Sequence, residues 1–246
     1  MSSSGNVLVS IPGSVSDPIM NNIFDMIYII NLKESTDRRK CMETQLQNLD
    51  ITKYTFIEPV GGNNLNIEYL KINKLYAYPN NDFCEKSCSC GGNGHYLSPG
   101  VIDLYLAHLK IWKDMIQKNY SKCLILEDDC IFTENMSDFV RTMSKAPENW
   151  RMLYLGHSQK INNYNSENID NPFFLKLVKG INESHIYALT NECAQIYVDN
   201  TYPIRAAVDG YFGHFMINNK VLSDVYICKT MFGINGSLTG NMKSLL

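Results

Sequence analysis

At 246 residues, 45% of them hydrophobic and 19% charged, the chain is long enough to bury a substantial core in one domain and is too apolar to be a disordered tail. A net charge of −3 with no long basic run excludes the electrostatic footprint of a nucleic-acid binder. No apolar run approaches the roughly 20 residues of a membrane helix, and the start lacks the basic residues of a signal peptide, so no transmembrane segment is read and a cytoplasmic protein is expected.

Residues 1–22 are expected to be a flexible segment, followed by one folded domain over 23–246. Met26-Ile27-Tyr28-Ile29-Ile30-Asn31-Leu32 is β-branched and aromatic and predicts a first central strand. Glu34 to Arg39 then opens a helix, with Ser35 or Thr36 as cap and Met42, Leu46 and Leu49 as its apolar stripe. The positive end of such a helix, joined by Arg38 and Arg39, suits a phosphate or nucleotide group; a solvated basic turn is the plainer alternative. Tyr54 to Val60 predicts a second strand, closed by Gly61-Gly62.

Residues 63–99 read as a long, mostly irregular insertion, whose Gly91-Gly92-Asn93-Gly94 is a turn rather than a phosphate loop because no GKS or GKT follows. It carries Cys84, Cys88 and Cys90 ahead of His95. The spacing lacks paired C-x-x-C elements, so a loop with free thiols or one disulfide is preferred to a zinc clip. Cys41, Cys123, Cys130, Cys193 and Cys228 are scattered through apparently structured segments and are expected to be reduced core residues.

From Val101 to Gln117, apolar residues at helical spacing predict the clearest helix; its His108 lies near the apolar face and reads first as a core histidine, with catalysis second. The helix leads into Leu124-Ile125-Leu126, read as a buried parallel strand that ends in Glu127-Asp128-Asp129. Such strands deliver their last residues to the sheet edge where ligands bind. Three adjacent carboxylates repel one another unless a hard cation joins them, and that cation in turn favours an anionic substrate such as a diphosphate. A polar turn that caps the next segment is the alternative. Beyond it, Met136–Met143 predicts a short helix, Met152–Leu155 a strand, Ser158–Asn171 an exposed polar stretch, Phe173–Val178 and Ser184–Leu189 strands, and Asn191–Val198 a helix. Asp209, after Ala207-Val208, is either a cap or a catalytic base. The alternation of strands and helices predicts an α/β fold with a mainly parallel central sheet.

In order and spacing these segments resemble glycosyltransferase family 25, the group of lipooligosaccharide and procollagen galactosyltransferases. The residues that carry the likeness are Ile29-Ile30-Asn31-Leu32 with Asp37-Arg38-Arg39, Tyr105-Leu106-Ala107-His108 with Ile111-Trp112, and Ile125-Leu126-Glu127-Asp128-Asp129. Farther on come His185 to Leu189 with Cys193-Ala194, and Val208-Asp209. Two departures stand out: the family's Gly-Glu-Ile-Gly is here Gly100-Val101-Ile102-Asp103, and its Ser-His pair is Ala107-His108.

The resemblance implies a GT-A-type, Rossmann-like domain and an inverting, metal-dependent transfer of a hexose, galactose before glucose, from a UDP-sugar to a hydroxyl on a glycan or protein. Asp129 is then the first metal ligand for Mn²⁺ or Mg²⁺, with Glu127 toward the ribose or a metal-bound water and Asp128 assisting. Ile30, Asn31, Thr36, Arg38 and Arg39 hold the nucleotide, and Asp209 is the catalytic base. A nucleotide-sugar-binding module without turnover is one alternative. A nucleotidyltransferase or phosphoryl-transfer enzyme is another, disfavoured by the lack of a P-loop and of a second acidic cluster.

Overall fold

The computed structural model describes residues 20–59, 64–76, 97–157, 166–181 and 184–240. They begin with α1 (Met20–Ile23), β1 (Met26–Ile30), α2 (Thr36–Asn48), β2 (Tyr54–Ile57), α3 (Ile67–Ile72) and α4 (Pro99–Gln117). β3 (Lys122–Glu127), β4 (Cys130–Phe132), a 3₁₀ turn (Glu134–Asp138), α5 (Phe139–Met143), β5 (Met152–Tyr154), β6 (Ser166–Asn168) and β7 (Phe174–Leu177) follow. The remainder is β8 (Ile186–Thr190), α6 (Asn191–Asn200), α7 (Val208–Gly210), a π-helical turn (Tyr211–Ile217), β9 (Val225–Cys228) and β10 (Gly233–Asn235).

Eight strands form one sheet in the order β2-β1-β3-β8-β5-β9-β7-β6, while β4 and β10 pair separately. β2, β1 and β3 are mutually parallel, β8 reverses between β3 and β5, β9 runs parallel to β5, and β7 reverses again before β6 returns. All but β7 and β8 therefore point one way, and the expected α/β architecture with a mainly parallel sheet is present.

The pleat sorts successive residues to opposite faces. Tyr28 and Ile30 of β1, Cys123 and Ile125 of β3, and Tyr187 and Leu189 of β8 join the core under α4 and α6. Their neighbours Ile27, Ile29, Leu124, Leu126, Ile186 and Ala188 join a second core under α2 and α5. α4 is started by Ser98, whose side chain accepts from the Val101 N–H, and by Pro99 in the first turn, where a missing N–H removes nothing. Its Ile102, Tyr105, Leu109, Trp112 and Met115 are all buried, each worth about 1.5–3 kcal/mol of removal from water. Ser35 sits at the N-cap of α2 but its side chain makes no capping bond, while Met42 and Leu46 anchor that helix in the second core.

Some elements differ from expectation. Within the insertion expected to be mostly irregular, α3 forms near the start, capped by Asn66 and pinned by the buried Leu70, and Tyr76 bridges to Ile204; residues 77–96 lie outside the described residues. β6 forms within the stretch read as polar and exposed, and its Glu167 and Asn168 are exposed; its Ser-Glu-Asn sequence has little strand propensity and is held by pairing with β7. β2 stops at Ile57, three residues short of the apolar run's end and before Pro59, which lacks a backbone donor. β9 and β10 were missed altogether. Of the segment 1–22 expected to be flexible, residues 1–19 lie outside the described residues, as does the cluster of Cys84, Cys88, Cys90 and His95, while Met20 and Asn21 are buried in α1. Among the described residues the five cysteines are free, four of them buried, and no helix is long and apolar enough to cross a membrane.

Candidate functional site

β1 and β3 lie side by side in parallel, with Ile30 opposite Glu127, so both strands end at the same sheet edge. Asn31 is the first residue past β1, and α2 then brings Arg38 back across the edge. Asp128 and Asp129 form the turn between β3 and β4, each only 7% exposed, and charges this dry have to be paired or hydrogen-bonded.

Asp128 is fully engaged. Arg38 Nη1 donates to its Oδ1 at 2.7 Å and Asn31 Nδ2 donates to its Oδ2 at 2.8 Å. Asn31 also reaches the Ser35 carbonyl, which ties the end of β1 to the start of α2. The other Arg38 nitrogen, Nη2, donates to Ser237 Oγ at 2.9 Å, and that hydroxyl donates onward to Asp129 Oδ2 at 2.6 Å. Arg38 Nη1 itself stays 3.9 Å from Asp129. The segment after β10 is thus strapped over the acids, and it passes so close that a side chain on Gly236 would come within 2.9 Å of the Asp129 carbonyl.

Asp129 Oδ1 is buried with no hydrogen-bond partner among the described residues, an oxygen of the kind a cation uses. Burial and the nearby Glu127 charge push the Asp129 carboxyl above the usual range, opposed by the Ser237 bond and the Arg38 charge. Among the described residues no group of three or more His, Cys, Asp or Glu side chains converges on one point. A cation at this edge would therefore rest on one or two carboxylates and complete its shell with ligand oxygens, the arrangement Mg²⁺ takes at phosphate sites.

Glu127 faces the other way. By strand alternation it lies on the Cys123 and Ile125 side, under α4, and not on the side of Leu124 and Leu126. There its Oε1 accepts from Ser184 Oγ at 2.5 Å and lies 3.7 Å from His108 Nε2. Burial pushes this carboxyl up, but the His108 contact and the Ser184 bond outweigh it and hold the group below its ordinary value.

The remaining expected residues divide. Ile30 is buried in β1 beside Glu127. Thr36 is exposed at the start of α2. Arg39 points away from the acids: its guanidinium lies 4.0 Å from the Phe56 ring centroid and pairs with Glu43 at 3.0 Å. Asp209 is half-buried on α7, where its Oδ1 accepts the Gly210 N–H, and three residues later the Phe212 ring packs 6.4 Å from that of His108. Sequence reasoning missed Ser184 and Ser237; His108, read first as a core histidine with catalysis second, is completely buried and faces Glu127. Strand alternation from Ile125 to Glu127 was the available signal for His108; nothing near Ser237 pointed to a partner 108 residues back.

The model of "Glycosyltransferase family 25 (LPS biosynthesis protein)" matches residues 24–212. The chain is 28% identical over 158 residues to procollagen galactosyltransferase 1-A of Xenopus laevis, covering 61% of this chain and 24% of that protein. It is 25% identical over 146 residues to inactive glycosyltransferase 25 family member 3 of Mus musculus, covering 55% of this chain and 22% of that one. It therefore spans about a quarter of the length of the curated relatives it matches. Among solved structures, mouse xyloside xylosyltransferase 1 in its apo form is similar at 10% identity and a TM-score of 0.36, over 86% of this chain and 80% of that one. With the matched span running from just before β1 through the acids to Phe212, the chain belongs to glycosyltransferase family 25.

Proposed function

We propose that this chain is a metal-dependent, inverting glycosyltransferase of GT-A type. It moves a hexose, galactose ahead of glucose, from a UDP-sugar to a hydroxyl on a glycan or protein. The observation that carries this reading is the convergence of Asn31, Arg38, Asp128 and Asp129 at the edge where β1 and β3 end, beside a buried carboxylate oxygen that has no partner.

In this reading Asp129 Oδ1 would hold Mn²⁺ or Mg²⁺, with Glu127 toward the ribose or a metal-bound water, and the ion would supply charge neutralisation for the diphosphate that leaves with UDP. Arg38 and Asn31 fix Asp128 and, with Ile30 and Thr36, shape the nucleotide end of the site; Arg39 flanks it from the Phe56 side. Asp209 takes the proton from the acceptor hydroxyl as that oxygen attacks the anomeric carbon opposite the departing UDP. Its place on α7, outside the acid turn, supports a base that approaches from the acceptor side. The free thiols favour work in a reducing compartment such as the cytoplasm.

The test is a panel of nucleotide sugars with and without Mn²⁺, scored by free UDP, on the wild type and on Asp129→Ala. Metal-dependent UDP release from one sugar, lost in a variant with an unchanged melting temperature, is the expected result. A second reading, a nucleotide-sugar-binding module without turnover, draws on the occupation of Asp128 by Arg38 and on the likeness to inactive family members. It predicts UDP binding with no release from any donor.

A further inference from the structure

His108 is completely buried on α4, yet among the described residues its Nε2 has no hydrogen-bond partner. A core histidine normally satisfies both ring nitrogens, since a buried polar atom left alone is destabilising by about 1–3 kcal/mol. Its other nitrogen, Nδ1, is 2.8 Å from the Tyr187 hydroxyl. That hydroxyl oxygen already accepts from Trp112 Nε1 at 3.2 Å. Indole N–H is only a donor, and giving the Tyr187 O–H to Nδ1 is the assignment that leaves neither the hydroxyl proton nor Nδ1 unpaired. The ring is then neutral with its proton on Nε2, and Nε2 is the atom that faces Glu127 Oε1 at 3.7 Å.

We propose that His108 is a positioning residue for Glu127. With Ser184 it holds Oε1, so that Oε2 is the oxygen turned toward the donor's ribose or metal-bound water. Trp112, Tyr187 and His108 form a directed chain of donors whose last proton points at the carboxylate, and the 3.7 Å gap closes to a hydrogen bond when ligand is seated. Tyr187 and Ser184 both stand on or beside β8, the reversed strand next to β3, so one element supports both contacts to Oε1. The role rests on the reading of Glu127 as a donor-binding carboxylate.

Two measurements test it. The first uses protein labelled with ¹⁵N at its five histidines. His108 is expected to show an unprotonated Nδ1 and a protonated Nε2, and the Nε2 signal is expected to move in Glu127→Gln and again on addition of UDP with Mn²⁺. A proton on Nδ1, or an Nε2 signal indifferent to Glu127→Gln, overturns the proposal. The second compares His108→Phe, which keeps the ring packing without a donor, with His108→Gln, which restores an N–H at about the same reach. KM for the donor sugar is expected to rise about tenfold in the first, about 1.4 kcal/mol, and to return within about threefold of wild type in the second. Equal KM values in two folded variants overturn the proposal. If the wild type neither binds nor cleaves any UDP-sugar, the glycosyltransferase reading falls by itself, and the nitrogen spectrum without ligand still decides whether His108 is aimed at Glu127.

Discussion

Under α4 and α6 the sheet is covered by rings that carry polar tips, among them Tyr105, Trp112, Tyr187, Tyr197 and Tyr211, packed around Phe212 with centroids as near as 4.8 Å. Under α2 and α5 it is covered by Met20, Met42, Met136, Met143 and leucines, with phenylalanines filling between. The first face is directional where its polar tips are bonded: Trp112 donates to the Tyr187 hydroxyl, Tyr197 to the Met152 sulfur and Tyr211 to the Tyr197 carbonyl. The second is adaptable, since thioethers and aliphatic chains repack without such demands. The three acids divide between these surroundings. Glu127 accepts from Ser184 and faces His108 on the directional side, whereas Asp128 and Asp129 are held by Arg38 from α2 and by the strap after β10. Orientation of one carboxylate is thus built into the core, and orientation of the other two depends on surface elements that lie over the edge.

The comparison is tested most severely in the cores. Trp112→Ala should destabilise by about 4 kcal/mol and Met42→Ala by about 3 kcal/mol, read from urea midpoints, and equal or reversed losses would break the contrast between the faces. Arg38→Ala comes next, because it strands the nearly dry Asp128 with Asn31 alone; about 2 kcal/mol of stability should go, with metal-dependent UDP release lost as well. Asp114→Asn should remove about 1 kcal/mol at pH 7. Burial lifts the Asp114 carboxyl, but the Tyr28 hydroxyl and Lys118 outweigh it, so the folded value is depressed. That stability is present above the unfolded value near 3.8 and is lost as pH falls through the folded one, so the two melting curves should merge in acid. Smallest of all, Arg39→Ala should change stability by less than about 1 kcal/mol, since its partners are half exposed. An effect as large as that of Arg38→Ala would show that the two arginines share the edge after all.

Much of this was legible in the chain. β1, α4, β3 and β8 follow from apolar runs whose period matches their structure, and Glu127-Asp128-Asp129 stands out because charge follows apolar residues without a transition. α3 and β6 were not legible, since each is short and draws its stability from one buried leucine or one neighbouring strand. Ser237 was invisible for a different reason: a serine carries no periodic signal, and its importance arises from a contact across the whole fold. Arg38 and Arg39 looked equivalent, but a single residue step along a helix rotates the side chain by about 100°, which sends one to Asp128 and the other to Phe56.

The strap over the acid turn also sets an order of events during synthesis. Glu127, Asp128 and Asp129 leave the ribosome well over 100 residues before Ser237, and at about 5–20 residues per second that interval is several seconds or more. Throughout it Asp129 lacks the hydroxyl that later fixes Oδ2, and Arg38 Nη2 lacks the Ser237 oxygen it later reaches. A nascent chain paused before β10 would therefore carry its acids in water, competent to bind ions loosely but without the fixed geometry of the finished site.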